Sequence, residues 1–423
     1  MRYVSALSMA LSMGLSSALS ALLLGACGSG LSNADCSCPA SVEGYAFAAG
    51  ERCLCMPVGD ATPDPEPSSI VEVTDDEEVD WDAINAALAD GPVLVRVSGE
   101  RSDDLRVART DEGPHRLVLD GGGAAVVPGI TTGYDDVAQH RVTVRGFEIT
   151  GGRDKGVYWR AGDDVLIEGN VVHGVRGSPA INLEYANRTG LPSALFVVRN
   201  NHVYDQPGEC IYIGGAEGED VNAHERVVIE RNLVHDCRNA FDSKHDGINV
   251  KDRIREVRVA ENVVARTDWG IEVASPGDYV GNVVIDTDRE GFQVVDSFQP
   301  FRGPMRFVGN RVFAAGDHGF QLITEAPADG IVIEDLYVAD AREAGLQVGG
   351  ASAPELVVRG LVVERSAVAL DGWGDAARTE VEGCVSIDND QGTDRMFEHV
   401  ACTAGTPTST VPGGPDGVFF SGD

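Results

Sequence analysis

The stretch VIERNLV at Val228–Val234, continued by GINV at Gly247–Val250, decides the fold. Apolar and polar residues alternate through it, which is the period of a strand, and an Asn stands just before the closing apolar pair. The unit recurs as VLIEGNVV (Val165–Val172), FVVRNNHV (Phe196–Val203), VRVAENVV (Val257–Val264), YVGNVV (Tyr279–Val284) and RFVGNRV (Arg306–Val312). A second short run follows each time, as AINL, CIYI, GINV, GIEV, GFQV, GFQL and GLQV. The Asn position reads Asn170, Asn201, Asn232, Asn262, Asn282, Asn310, and becomes apolar at both ends, with Phe147 before and Leu336 and Leu361 after. Strand-like units repeating every 20 to 31 residues or so predict a solenoid. Stacked coils let the amides hydrogen-bond to one another, which satisfies a polar group inside the core.

A leucine-rich repeat also places Asn after alternating apolar residues, but its Leu spacing and the room for a helix in every repeat are missing. The repeats resemble the right-handed parallel β-helix (pectin-lyase-like) superfamily over most of the chain. That resemblance implies an all-β, right-handed parallel β-helix across residues 92–390, on a fold that hosts many functions.

Outside the repeats, the first 26 residues read as a signal peptide, with Arg2 ahead of an apolar run from Ala6 to Leu24. The run ends in Leu24-Gly25-Ala26-Cys27, which resembles the bacterial lipobox. The resemblance implies lipid on Cys27, which would hold the exported chain at a membrane. Gly28 after the Cys, instead of Asp, leans towards the outer membrane or cell surface. Residues 27–57 form a Cys-rich module, in which Cys36, Cys38, Cys53 and Cys55 suit two disulfides of open connectivity. Cys210 with Cys237, and Cys384 with Cys402, are further candidate pairs. Residues 58–78 are rich in Pro and acid and read as a solvated tether. Residues 79–91 have helical spacing, with Trp81, Ile84, Ala87 and Leu88 on one face and Asp80 as N-cap, and predict a capping helix ahead of the solenoid. Residues 391–423 are a C-terminal cap or tail, with Phe397, Phe419 and Phe420 available to cover the last coil.

The net charge of −34 repels phosphate backbones and argues against a nucleic-acid partner. A monomer is expected. Because identical positions stack, outward columns can be read from the repeat. In Gly-apolar-x-apolar the x column runs Tyr158, Asn182, Tyr212, Asn249, Glu272, Gln293, Gln321, Gln347. The next outward column includes Arg160, Glu184 and Lys251, and the turn column before the Gly includes Lys155, Glu209, Asp246, Trp269, Glu290 and His318. Amides, carboxylates and flat aromatic rings bind sugars, so Asn182, Tyr212, Asn249, Trp269, Gln293, His318 and Gln321 are candidate substrate-binding residues. The plainer alternative is that an amide column only zips a sheet face together. His173 and His235, with Tyr204 between them, are two coils apart and read as a stack.

SKHDGINVKDR (Ser243–Arg253) is the densest chemistry. Eliminating a uronate needs a base and a charge that neutralises its carboxylate. Lys251 is the first base candidate, with Lys244 and Arg253 behind it. Glu209, Asp246 and Glu272 are candidate ligands for Ca²⁺. Glu209–Gly214 resembles the Gly-Glu-rich strand of alginate- and chondroitin-lyase-like chains, although their Asn-Lys-Ser element is only echoed by Ser243-Lys244-His245. A carboxylate pair for hydrolysis, Glu209 with Asp246 or Asp246 with Glu272, is open on adjacency. The expectation is an envelope lipoprotein that binds or degrades polysaccharide, in its sharpest form a Ca²⁺-assisted lyase. The alternative is a non-enzymatic glycan-binding, adhesive or structural surface protein.

Overall fold

The computed structural model describes residues 44–49, 52–57, 65–109, 113–132, 139–151, 155–160, 162–184, 193–214, 224–238, 245–251, 254–295, 303–323, 328–349, 356–373, 379–393, 402–405 and 419–421. The signal segment, Cys27, Cys36, Cys38, Lys244, Arg253 and Phe397 lie outside these residues, as do the side chains of Cys53 and Cys55.

The repeats form parallel coils that stack in register. A larger sheet carries two strands from most coils and runs from Ser69–Thr74 to Thr403–Ala404. A smaller, twelve-stranded sheet takes one strand per coil, in chain order from Leu105–Arg106 to Gln391–Thr393. Val and Ile of each alternating run face inward and merge into one continuous core.

Two features of the repeat explain the corners. Asn170, Asn201, Asn232, Asn262, Asn282 and Asn310 are buried, and each Nδ2 donates to Oδ1 of the next, from 3.1 Å at Asn170–Asn201 to 3.0 Å at Asn282–Asn310. The residue before each Asn has positive φ, including Asn200, Arg231 and Glu261, so the ladder stabilises a bend that costs a non-glycine residue about 1 kcal/mol or more. The repeated Gly has a separate cause. A Cβ on Gly270 would lie 2.3 Å from Gly291 O and 2.4 Å from Val284 Cγ1, because the smaller sheet begins where it meets the larger one.

The boundaries differ from the sequence expectation at both ends. The tether assigned to 58–78 includes a strand, since Ser69–Thr74 pairs in parallel with Val93–Ser98. Val71 and Val73 supply the alternation that the acidic composition obscured. The coils also pass residue 390, through Gln391–Thr393 and Thr403–Ala404. The helix forms at Trp81–Leu88, with Asp80 Oδ1 accepting from Ala83 N at 3.0 Å. It lies inside the first coil, between that coil's strand and the next, where later coils place a strand of the smaller sheet; Ile84 and Leu88 enter the core. Phe419–Ser421 pairs antiparallel with Arg52–Pro57, which pairs with Gly44–Ala49. The backbone of Phe419 and Phe420 therefore joins the Cys-rich module, and their side chains lie outside the described residues. Disulfides link Cys210 to Cys237 and Cys384 to Cys402, as the sequence suggested.

Candidate functional site

The smaller sheet aligns the x column read from the repeat. Tyr158, Asn182, Tyr212, Asn249, Glu272, Gln293, Gln321, Gln347 and Asp371 pair one after another in consecutive coils. The column has two chemically different halves. From Gln293 onward it is a closed amide ladder: Gln293 Nε2 donates to Gln321 Oε1 at 2.7 Å, Gln321 Nε2 to Gln347 Oε1 at 2.6 Å, and Gln347 Nε2 to Asp371 Oδ2 at 2.8 Å. Gln321 and Gln347 are buried. This half zips the sheet, as the plainer reading of the column held.

The other half is charged. Glu184 accepts from Tyr158 Oη at 2.5 Å, Lys155 Nζ at 2.9 Å and Asn182 Nδ2 at 3.2 Å. Burial works against its ionised form, but the Tyr158 and Lys155 hydrogen bonds outweigh it and hold the carboxyl below its usual range. Two coils on, Lys251 Nζ meets Glu272 Oε1 at 2.6 Å. Asn249 Nδ2 donates to Glu209 Oε1 at 3.3 Å and also to Asp246 Oδ2, so one amide bridges two carboxyls. Ser178 Oγ accepts from Glu209 N at 3.1 Å.

Electrostatics separate the members of this group. Asp246 is 3% exposed, and burial together with the charge of Glu272 pushes its carboxyl well above the usual range. Burial also raises Glu209, and Glu272 adds to the rise against the opposing pull of Lys251. Burial would lower Lys251, but the adjacent Glu272 more than compensates and keeps it a protonated ammonium. Three carboxyls and one ammonium therefore share a half-buried patch in which burial favours the protonated forms of Glu209 and Asp246.

Residues 132–300 match a family model described as a right-handed β-helix region. The chain is a right-handed parallel β-helix. No curated protein sequence matches it. Among solved structures, the β-helix is similar to the catalytic unit of the thermostable GH87 alpha-1,3-glucanase from Streptomyces thermodiastaticus strain HF3-3, at 14% identity and a TM-score of 0.48, over 82% of this chain and 66% of that one. It thus spans just under two thirds of that unit. It is also similar to pectate lyase Pel9A, at 12% identity and a TM-score of 0.35, over 78% of this chain and 79% of that one. A third similar structure is tailspike protein 3 of bacteriophage CBA120, at 14% identity and a TM-score of 0.29, over 78% of this chain and 57% of that one.

The β-helix corrects several assignments made from sequence. Lys251 is ion-paired and protonated, so it is not a resting base. Glu209, Asp246 and Glu272 do converge, but the Lys251 ammonium sits on Glu272 where a cation would bind. Among the described residues no group of three or more His, Cys, Asp and Glu is arranged to hold a metal ion. Calcium does not fit this donor set. Trp269 is 7% exposed and Arg289 lies over its ring at 4.8 Å, so it offers no free face. His318 is buried, accepts from Ala344 N through Nδ1 and faces Glu343 through Nε2, which makes it a link between coils. Asn182 and Asn249 are buried and act on Glu184 and on the carboxyl pair. Tyr212 and Gln293 keep partial exposure on the face.

On the larger sheet, His173, Tyr204 and His235 stack at 4.9 and 5.2 Å, as their column predicted. Sequence reading missed His202, whose Nε2 lies 2.8 Å from His235 Nε2. The contact joins strand positions two apart on neighbouring coils, which a column-by-column reading does not pair.

Proposed function

We propose that the outer face of the smaller sheet binds a neutral polysaccharide and cleaves it by acid–base hydrolysis at Glu209, Asp246, Glu272 and Lys251. The observation that carries this reading is the carboxyl group cluster itself. Burial raises the carboxyls of Glu209 and Asp246, which favours their protonated forms, while Glu272 faces an ammonium. Glycosidic cleavage uses a carboxylic acid to protonate the leaving oxygen and a carboxylate to activate or attack from the other side. Glu209, the more accessible of the two raised carboxyls, supplies the proton. Glu272, oriented by Lys251, supplies the carboxylate. Asp246 and Asn249 hold Glu209 in place. The net charge of −34 disfavours a polyuronate, and without a cation to bridge the two, elimination loses its support.

The second reading is a non-enzymatic adhesive or structural β-helix, favoured by the closed Gln293–Asp371 ladder, which holds the sheet together without chemistry. The chain is further proposed to be an exported lipoprotein held by lipid on Cys27. The lipobox-like Leu24–Cys27 and the two disulfides, which form in oxidising compartments, support that placement. Replacing Cys27 by Ala should then release the protein from the membrane fraction.

The deciding experiment incubates the full chain with neutral polysaccharides and polyuronates. New reducing ends and the ultraviolet absorbance of unsaturated products are followed together. Reducing ends from a neutral glycan, lost in Glu209→Gln and Glu272→Gln, support hydrolysis. An absorbing product from a polyuronate would replace hydrolysis by elimination. Binding without either product would leave the adhesive reading.

A further inference from the structure

Trp373 is, with Ile70, one of two large hydrophobic side chains exposed among the described residues, at 40%. Its place is specific. It follows Val368–Gly372, the strand that pairs Gln347 with Asp371 and Val348 with Gly372, and its N–H donates to Val348 O at 3.0 Å. Trp373 therefore falls beside Gly349 of the preceding coil, in the same outward column as Lys251 and Glu184. A Cβ built on Gly349 would lie 2.0 Å from Trp373 Cε2, 2.1 Å from Cζ2 and 2.5 Å from Cδ2. All three atoms belong to the six-membered ring, so the indole rests directly on the glycine. Any side chain at position 349 would push it off the sheet.

Asp371 lies two residues earlier and so projects from the same face. One of its oxygens ends the amide ladder by accepting from Gln347. An exposed aromatic beside a carboxylate is the pairing a pyranose ring needs, with the C–H face against the ring and hydroxyls donating to oxygen. From Glu272 the column reaches Asp371 through Gln293, Gln321 and Gln347, which at about 4.8 Å per coil is roughly 19 Å.

We propose that Trp373, seated on Gly349 beside Asp371, is a distal subsite that takes one sugar ring of a neutral glycan whose chain runs along the sheet to the Glu209–Glu272 centre. The proposal rests on the reading of this face as glycan-binding. It adds the ligand's direction, across the coils, and its length, several sugar units. Asp371 sets the chemical class: its carboxylate repels a uronate and accepts from neutral hydroxyls.

The test uses the full chain with short and long neutral gluco-oligosaccharides, such as cellobiose and cellohexaose beside their α-linked counterparts. Affinity is read by calorimetry and cleavage by reducing ends. Trp373→Ala should weaken binding of the long chains about tenfold, and leave the short ones unchanged. Trp373→Phe should restore part of the loss. Gly349→Ala keeps the indole but lifts it, and should weaken long-chain binding as well. If both variants bind long chains like the parent while Glu209→Gln still abolishes cleavage, the subsite is overturned and the proposed function stands. If the parent neither binds nor cleaves any of these chains, both fall.

Discussion

Lys251 Nζ lies 2.6 Å from Glu272 Oε1; Lys251 directly follows Asp246–Val250, the strand whose x position Asn249 pairs with Glu272 on the neighbouring coil. The contact fixes which groups carry protons. Lys251 lowers Glu209 and Asp246 against burial, while Glu272 raises them. Removing the ammonium in Lys251→Ala should therefore raise Glu209 further. Glu209 acts in its protonated form, so activity declines as pH rises through its raised pKa. The alkaline limb of the pH–rate profile should move to higher pH in Lys251→Ala, with a lower maximum because Glu272 loses its partner. A limb that stays in place would remove Glu209 from the role of acid.

The same contact predicts indifference to chelation. An ammonium already occupies the Glu272 oxygen, so a calcium chelator should leave both hydrolysis and thermal stability unchanged. Loss of activity on chelation, restored by Ca²⁺, would show that the carboxyls rearrange around a cation and would return the elimination mechanism to consideration.

The fold was legible because the repeat carries its own alignment. Asn170 to Asn310 mark one corner of each coil, and the columns read from them are the columns the sheets pair. Chemistry was less legible because a column names a direction and not a depth. Trp269 and His318 share an outward-turn column with Glu209, yet packing and Arg289 cover them. Trp373 escaped notice because the repeat is degenerate there, with Gly372 where the paired positions of earlier coils, such as Val348 and Leu322, carry apolar side chains. The ionisation of Lys251 could not be read at all, since it depends on the distance to Glu272 across a coil. At residues 58–78 composition misled, because acidic positions outnumber the half-buried Val71 and buried Val73 that define the strand.

Asn232 stands mid-ladder. Its Oδ1 accepts from both the N–H and Nδ2 of Asn201, and its Nδ2 donates to Val198 O and Asn262 Oδ1. Asn232→Ala leaves several buried groups unsatisfied, for a loss of about 3 kcal/mol. Asn170 lies at the end, where its Oδ1 accepts from Phe147 N but from no preceding amide side chain. Asn170→Ala should cost less. Urea unfolding of both variants checks the order, and equal losses would mean that the ladder's internal bonds contribute little.

His224 gives an acid limit to the fold. It is fully buried against Phe196, and burial drives its imidazole from 6.5 down to about 3, against a backbone hydrogen bond at Leu183 that favours the charged form. In the unfolded chain the imidazole titrates near its ordinary value. Between pH 6.5 and 3 the unfolded state therefore binds a proton that the folded state refuses. Stability is complete above the upper value and falls as pH drops towards the lower one, with a slope of about 1.4 kcal/mol per pH unit for one histidine. His202, lowered to about 3 by burial and by its neighbours His235 and His173, adds a second such proton. Glu209 and Asp246 titrate with the opposite sign, because the folded state holds their protons more tightly, so the net slope of the parent is smaller than the histidines alone would give. Comparing the parent with His224→Leu isolates the term. The variant should lose less stability than the parent between pH 6.5 and 4, by one proton's slope, whatever its stability at neutral pH. Parallel pH curves for the two proteins would show that His224 takes up its proton without unfolding the coil.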